Sequence, residues 1–227
     1  MNIGIMGTGI VGKTLAVKLA EVGHAVMIGT RDPAETLART DPDRYGNPPF
    51  RVWLQRHPAV KLGSFAEAAA HGKIVVNATN GAVSLDALRA AGEAHLNGKV
   101  LMDIANPLEV SQGMPPSLFV SNTDSLGEQI QRAFPQVRLV KTLNTMNAYV
   151  MANPRQLADG DHHVFVSGND ADAKAQVTGL LKDGFGWKHV IDLGDITTAR
   201  GPEMILPIWL RLLGALQTPL FNFKIVK

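Results

Sequence analysis

The chain has 227 residues, of which 45% are hydrophobic and 19% are charged, and its formal net charge is +2. This composition is typical of a globular α/β enzyme, and it excludes the strongly basic surface that nucleic-acid binding requires. The absence of cysteine excludes disulfides, thiolate metal ligands and a cysteine nucleophile. Since the first predicted strand starts at Asn2, which leaves no room for a signal peptide, we expect a cytoplasmic protein.

A glycine-rich turn follows the first predicted strand. The strand contains Ile3 and Ile5, and the segment after it, residues 7–12, leads directly into a helical apolar pattern. The segment has the G-x-G-x-x-G spacing of dinucleotide-binding folds, in which the helix N-terminus binds the pyrophosphate. We therefore predict a dinucleotide site formed by Gly7, Thr8, Gly9, Ile10, Val11 and Gly12.

The residues that follow the second strand, 25–29, indicate the type of dinucleotide. NAD-binding proteins carry an acidic residue here for the ribose 2′-hydroxyl, whereas NADP-binding proteins use an arginine for the 2′-phosphate. Thr30 and Arg31 occupy this place, which favours NADP. Asp32 is the alternative that would indicate NAD, but it precedes Pro33, and Asp followed by Pro is a common helix start.

Residues 40–58 form a connection of unusual length that contains a short helix around Trp53. It could cover the adenosine end of the cofactor or join a subunit contact, but we favour Trp53 as part of a local hydrophobic cluster. Beyond it the pattern predicts strands at 60–62 and 73–77, with a helix from Ser64 to Ala70 between them.

Polar loops follow three predicted strands, 73–77, 99–103 and 138–142. In open α/β sheets, ligands bind at the carboxyl ends of parallel strands. We therefore predict that these loops line the nicotinamide side of the site, through Asn77, Thr79, Asn80, Asn106, Pro107, Asn144 and Met146. Two alternatives stay open: the first loop could simply cap the helix at 84–91, and Met146 could be core.

A loop at 117–122 is followed by a helix that begins at Thr123 or Ser125. The C-terminal part then repeats a strand-helix-strand pattern, with a strand at 162–167, a helix at 170–182 and a strand at 188–192. A final helix over 205–216 is apolar on all sides, which predicts burial between the nucleotide domain and a partner surface rather than a membrane span. We predict an α/β Rossmann-type doubly wound, mostly parallel sheet, with residues 1–150 as the NADP-binding domain and 151–227 as a small α/β extension.

Conventional catalytic groups are missing from the sequence. Tyr149 and Tyr45 lack a lysine four residues further on, and there is neither a Gly-x-Ser-x-Gly elbow nor a His-Glu-x-x-His motif. The adjacent His162 and His163 point to opposite faces of a strand, so we predict no metal site. Lys141 is interpreted as solvated or ion-paired. No catalytic side chain is therefore predicted, and the pattern favours hydride transfer between two stacked rings. A small-substrate NADP dehydrogenase and a non-catalytic NADP(H) sensor are the alternatives.

Several segments, taken together, are similar to those of a known family. They are the glycine turn at 7–12, the step Gly29-Thr30-Arg31, the segments 98–107, 134–135 and 140–144, and Gly194 followed by Thr198, Arg200 and Glu203. In these features the chain resembles the coenzyme F420 (deazaflavin)-dependent NADP reductases and the cytosolic reductase domain of the six-transmembrane metalloreductases.

The resemblance implies a Rossmann domain with a small C-terminal part, and NADPH held by Thr8, Thr30 and Arg31. It also implies a homodimer and a second redox ring near Thr79, Asn106, Pro107, Asn144 and Met146. The electron acceptor stays open between F420 and a flavin, FMN or FAD.

Overall fold

The computed structural model describes residues 1–43, 46–111 and 113–227, which form an eight-stranded sheet, a separate two-stranded hairpin and flanking helices. The strands are β1 Asn2–Met6, β2 Ala25–Thr30, β3 Val60–Ser64, β4 Ile74–Asn77, β5 Val100–Asp103, β6 Leu108–Glu109, β7 Ser117–Leu118, β8 Arg138–Thr142, β9 His163–Ser167 and β10 His189–Gly194. The α-helices are α1 Ile10–Glu21, α2 Pro33–Ala38, α3 Phe50–Arg56, α4 Phe65–His71, α5 Ser84–Ala91, α6 Glu93–Leu96, α7 Leu126–Ala133, α8 Ala148–Ala152, α9 Ala171–Gly179, α10 Arg200–Met204 and α11 Leu206–Leu216.

The strand order confirms the predicted Rossmann-type sheet. Strands β3-β2-β1-β4-β5-β8 are parallel neighbours, which is the order of dinucleotide-binding folds with its switch point between β1 and β4. β9 joins β8 antiparallel, and β10 joins β9 parallel. The extension after residue 150 thus continues the same sheet, and the division into 1–150 and 151–227 stays a prediction.

Both faces of the sheet are covered, which is why its strands are apolar without alternation. On β1, Ile3 and Ile5 pack in one core cluster with Leu15 of α1. Met6 and the β4 residue Val75 belong to a second cluster on the other face, together with residues of α4, α5 and α7. The two clusters hold the carboxyl ends of β1, β4, β5 and β8 at one edge, where the candidate site lies.

Local capping fixes where several helices begin. The Asp32 side chain accepts a hydrogen bond of 2.9 Å from the Glu35 N–H at the start of α2, as predicted. Ser64 and Glu67 form a reciprocal capping box at α4. At α7 the capping residue is Ser125 rather than Thr123, since the Ser125 hydroxyl accepts from the Glu128 N–H at 3.1 Å.

Two sequence expectations are wrong in detail. The helix from residue 170 leaves α-geometry after Gly179 and continues as a π-helical turn, Leu180–Phe185. The loop at 117–122 contributes a short strand, β7, that pairs with β6. In the single chain Leu206 is the buried residue of α11, while Ile208 and Leu216 are 50% and 52% exposed. The expected burial of this helix against a partner surface stays a prediction.

Candidate functional site

The glycine turn has three different geometries at its three glycines. Gly7 has φ +116°, and a Cβ there would lie 2.6 Å from the Ala78 carbonyl oxygen. A Cβ on Gly12 would lie 2.1 Å from the Gly7 carbonyl oxygen, so α1 packs against the turn only because this side chain is absent. A Cβ on Gly9 would meet nothing within 4 Å. The space above Gly9 is therefore open, as a pyrophosphate would require.

The N-terminus of α1 lies beside this open space. Gly9 is the residue that precedes the helix, and no side chain caps it. The first N–H groups of a helix have no partner within the helix and carry its positive dipole end. Thr8, Ile10 and Val11 are partly exposed around them. The turn thus fits an anionic diphosphate.

The end of β2 presents a free guanidinium group. Arg31 is exposed and forms no hydrogen bond or ion pair with any described residue, whereas Asp32 is occupied as the cap of α2. A hydrogen bond of 2.9 Å joins the Thr30 and Thr36 hydroxyl groups. The nearby Arg39 on the following helix pairs with Glu35 at 2.7 Å. Among the described residues at the end of β2, Arg31 is therefore the cation that is available to a phosphate.

The loop after β4 is organised by Asn77, whose side chain is fully buried. Its Nδ2 donates to Asp103 Oδ1 at 2.8 Å and to the Ser84 hydroxyl at 3.1 Å. Its Oδ1 accepts from the Thr79 hydroxyl at 2.7 Å and from the Thr79 N–H at 3.3 Å. Asn77 therefore orients Thr79 rather than facing the open edge itself, while Asn80 next in the chain is exposed.

The loops after β5 and β8 are joined by a pair of asparagines. Asn106 Nδ2 donates to the Asn144 carbonyl oxygen, and Asn144 Nδ2 donates to Asn106 Oδ1, both at 2.9 Å. Asn106 stays partly exposed, but Asn144 is 2% and Met146 is 6% exposed, and Pro107 is also buried. The structure thus brings the three predicted loops together, with Asn144 and Met146 behind the surface.

A small pocket of about 160 Å³ lies at the switch point between β1 and β4. It is lined by Val11, Ala78, Thr79, Asn80, Gly81, Ile104, Ala105, Asn106 and Leu108. These residues come from the first turn of α1 and from the loops after β4 and β5. None of the described residues that line this pocket is titratable.

A buried lysine, which the sequence analysis interpreted as solvated or ion-paired, donates to the carbonyl oxygen of Ala105, one of the residues that line this pocket. Lys141 is 1% exposed, and its Nζ is 2.9 Å from Asp103 Oδ2 and 2.8 Å from Glu203 Oε1. Burial by itself lowers the pKa of Lys141, but the attraction of the two carboxylates outweighs it and raises that pKa above its ordinary value. Lys141 is therefore a buried, charged group.

Glu203 connects this cluster to the C-terminal part of the chain. Its carboxylate accepts from the Leu126 and Gly127 N–H groups at 2.8 and 3.0 Å, at the N-terminus of α7. Nearby, Arg200 forms a two-point pair with Glu128 at 2.9 and 2.6 Å. The segment that carries α10 is thus anchored beneath the site.

A second, larger cavity of about 460 Å³ lies between α1, α3 and α8 and was not foreseen from the sequence. Trp53 lines it, stacked on His57 with ring centroids 4.5 Å apart and tilted on Phe50 at 5.2 Å. The expected hydrophobic cluster around Trp53 is therefore present. Tyr45, for which the sequence analysis noted the absence of a lysine four residues further on, lies outside the described residues.

Within residues 1–43, 46–111 and 113–227, no cluster of histidine, aspartate or glutamate side chains has the arrangement of a metal site. None of the helices in those ranges combines the length and apolarity needed to cross a bilayer.

The strand order, the glycine turn and the pocket at the switch point define a Rossmann protein that binds a dinucleotide. A family model described as "NADP oxidoreductase coenzyme F420-dependent" matches residues 2–107. A crystal structure of a candidate F420-dependent NADP reductase from Arthrobacter sp. FB24 is 61% identical, covers 100% of both chains and superposes with a TM-score of 0.96. The chain belongs to the family of coenzyme F420-dependent NADP oxidoreductases.

More distant relatives agree with this assignment. The F420-dependent NADP reductase of Methanothermobacter marburgensis is 26% identical over 93% of this chain and 92% of its own. Rat metalloreductase STEAP3 is 26% identical over 92% of this chain, but the chain spans only 38% of that protein's length. A reductive aminase from Aspergillus terreus in complex with NADPH, 16% identical over 94% of this chain and 62% of its own with a TM-score of 0.63, shares the fold.

Proposed function

We propose that this protein transfers a hydride between NADP(H) and a deazaflavin (F420) or a flavin. The observation that carries the proposal is that no described residue lining the 160 Å³ pocket can act as a general acid or base. Reduction of a ketone or an imine needs a proton donor beside the reacting carbon. Transfer between two flat rings needs mainly proximity and alignment. The lining therefore favours ring-to-ring transfer over a small-substrate dehydrogenase.

The residues of the glycine turn and of β2 hold the dinucleotide in this proposal. Gly7, Gly9 and Gly12 keep the backbone open to the pyrophosphate, with Thr8, Ile10 and Val11 around it, and Arg31 pairs with the 2′-phosphate next to Thr30. When bound, the nicotinamide supplies the hydride. Thr79, Asn80, Asn106 and Pro107 shape the space for the rings, whereas Asn77, Asn144 and Met146 support those residues from behind.

Steady-state oxidation of NADPH, with F420, FMN and FAD offered separately, tests the proposal. We expect turnover with at least one ring acceptor and a lower kcat/KM with NADH. Tight binding of NADP(H) without turnover of any acceptor, together with a ligand-dependent change of assembly, would instead indicate a sensor. A cytoplasmic location stays a prediction, which cell fractionation checks.

We further propose a homodimer that covers α11. Ile208, Leu216 and Leu220 are 50%, 52% and 46% exposed on this helix and the segment after it. Several exposed apolar side chains on one helix and the segment after it are typical of an interface. Sedimentation velocity should give twice the mass of the 24.4 kDa chain, and Ile208→Glu should shift it to the monomer. A monomeric wild type would show that this proposal is wrong.

A further inference from the structure

The Thr79 hydroxyl belongs to a closed ring of hydrogen bonds. It lies 2.7 Å from Asn77 Oδ1 and 2.8 Å from the Ser84 hydroxyl, and Ser84 in turn accepts from Asn77 Nδ2 at 3.1 Å. An amide oxygen cannot donate, so Thr79 gives its only hydroxyl hydrogen to Asn77. The Ser84 hydroxyl then supplies the hydrogen of the second bond at 2.8 Å, which is shorter than its 3.3 Å contact with the Asn80 carbonyl oxygen. Thr79 lines the pocket, has no hydroxyl hydrogen left to donate, and keeps one oxygen lone pair as an acceptor.

Asp103 and Lys141 set the direction in which the hydrogen bonds of this ring are donated. Asn77 Nδ2 donates to Asp103 Oδ1 at 2.8 Å, and the other oxygen of Asp103 is 2.9 Å from Lys141 Nζ. Lys141 Nζ donates to Asp103 Oδ2, and the Ala105 N–H donates to Asp103 Oδ1 at 3.3 Å, so both oxygens of Asp103 act as acceptors. The opposite orientation of the Asn77 amide would place two acceptor oxygens against each other at that distance. Lys141 and Asp103 therefore fix the Asn77 amide, and Asn77 fixes Thr79.

We propose that Thr79 is a fixed hydrogen-bond acceptor that selects the amino group of the nicotinamide carboxamide, and that Asn77 is its positioning residue. The inference rests on the proposed function in one respect: the nicotinamide must occupy the pocket at the switch point. Asn144 is 2% exposed, donates to Asn106, and does not line this pocket.

An analogue of the dinucleotide tests this selection directly. In 3-acetylpyridine adenine dinucleotide phosphate, a methyl group replaces the carboxamide amino group and the carbonyl is retained. The methyl group cannot donate to Thr79. We expect the wild type to bind NADP⁺ about tenfold more tightly than the analogue, as the loss of one hydrogen bond predicts. Isothermal titration calorimetry measures both affinities without any acceptor.

Variants at Thr79 and Asn77 then locate the source of the preference. Thr79→Val should bring the ratio of the two affinities to about 1, and Thr79→Ser should keep it near tenfold, because only the hydroxyl matters. Asn77→Ala keeps Thr79 but frees its hydrogen, so the ratio should fall by at least about threefold. Thr123→Val, the same exchange in an exposed turn, should leave the ratio unchanged. Circular dichroism checks the fold, and Thr79→Ala replaces Thr79→Val if the latter unfolds.

The possible failures are distinguishable. Equal affinities of the wild type for the two dinucleotides, or an unchanged ratio in Thr79→Val, overturn this inference and leave NADPH oxidation untouched. Absence of NADP⁺ binding overturns both the inference and the proposed function. A ratio that is lost in Thr79→Val but fully kept in Asn77→Ala overturns the positioning role of Asn77.

Discussion

Replacing Lys141 by methionine removes the only positive charge within hydrogen-bonding distance of two buried carboxylates among the described residues. Asp103 and Glu203 are 0% and 1% exposed, so water cannot take over the missing partner. Methionine has nearly the length of lysine, which limits any cavity. The variant therefore isolates the loss of charge from the loss of packing.

The expected cost is large for a single substitution. Removing one partner of a buried ion pair typically costs about 3–5 kcal/mol, because the remaining charge stays unpaired. For a chain of this size each kcal/mol lowers the melting temperature by about 2–4 °C. We therefore expect Lys141→Met to melt about 6–20 °C below the wild type.

Thermal and urea unfolding, followed by circular dichroism, measure this effect. Lys224→Met is a matched control, since Lys224 pairs with Asp161 at the surface, where the two side chains are 48% and 53% exposed. A surface pair of this kind contributes at most about 1 kcal/mol. Equal losses of stability in the two variants would refute the central role assigned to the buried cluster.

Three further predictions concern the dinucleotide and the surface ion pairs. Arg31→Ala should weaken NADPH binding about 10- to 100-fold and NADH binding little, since charge-assisted hydrogen bonds to a phosphate are lost; an equal loss for both would favour Asp32 and NAD. Gly9→Val should melt with the wild type, because a Cβ there meets nothing within 4 Å, yet fail to bind NADP⁺ in calorimetry. The Arg138 hydrogen bonds lower the pKa of Asp170 from 3.8 to about 2. In an NMR titration this pKa should return toward its ordinary value in Arg138→Gln, and the stabilisation by the pair, present above about pH 4, should be lost as the pH falls to about 2.

The features that the sequence predicted well are encoded locally. The glycine turn, the Asp32-Pro33 helix start and the cap at Ser64 each depend on residues within a few positions of one another. The parallel order of the first strands follows from the alternation of strands and helices, because short right-handed connections leave few possible strand orders. For these elements, the pattern of residue types was sufficient.

The parts that escaped prediction depend on contacts between distant positions. Asn77, Asp103, Lys141 and Glu203 form one cluster although they come from different elements, and nothing in the neighbouring sequence of Lys141 indicates that it is buried. Helix α11 shows the opposite case. Its pattern is apolar on all sides, but periodicity does not tell whether the same chain or another one covers such a helix.

The transfer of a labelled hydride tests the proposed function most directly. NADPH carrying deuterium at the transferred position of the nicotinamide is mixed with oxidised F420 and the protein without oxygen, and the reduced F420 is analysed by mass spectrometry. We expect one deuterium in the reduced deazaflavin, because the hydride passes from ring to ring without exchange with water. Reduced F420 without deuterium would contradict direct transfer. NADPH that is not oxidised by F420, FMN or FAD would contradict the proposed function as a whole.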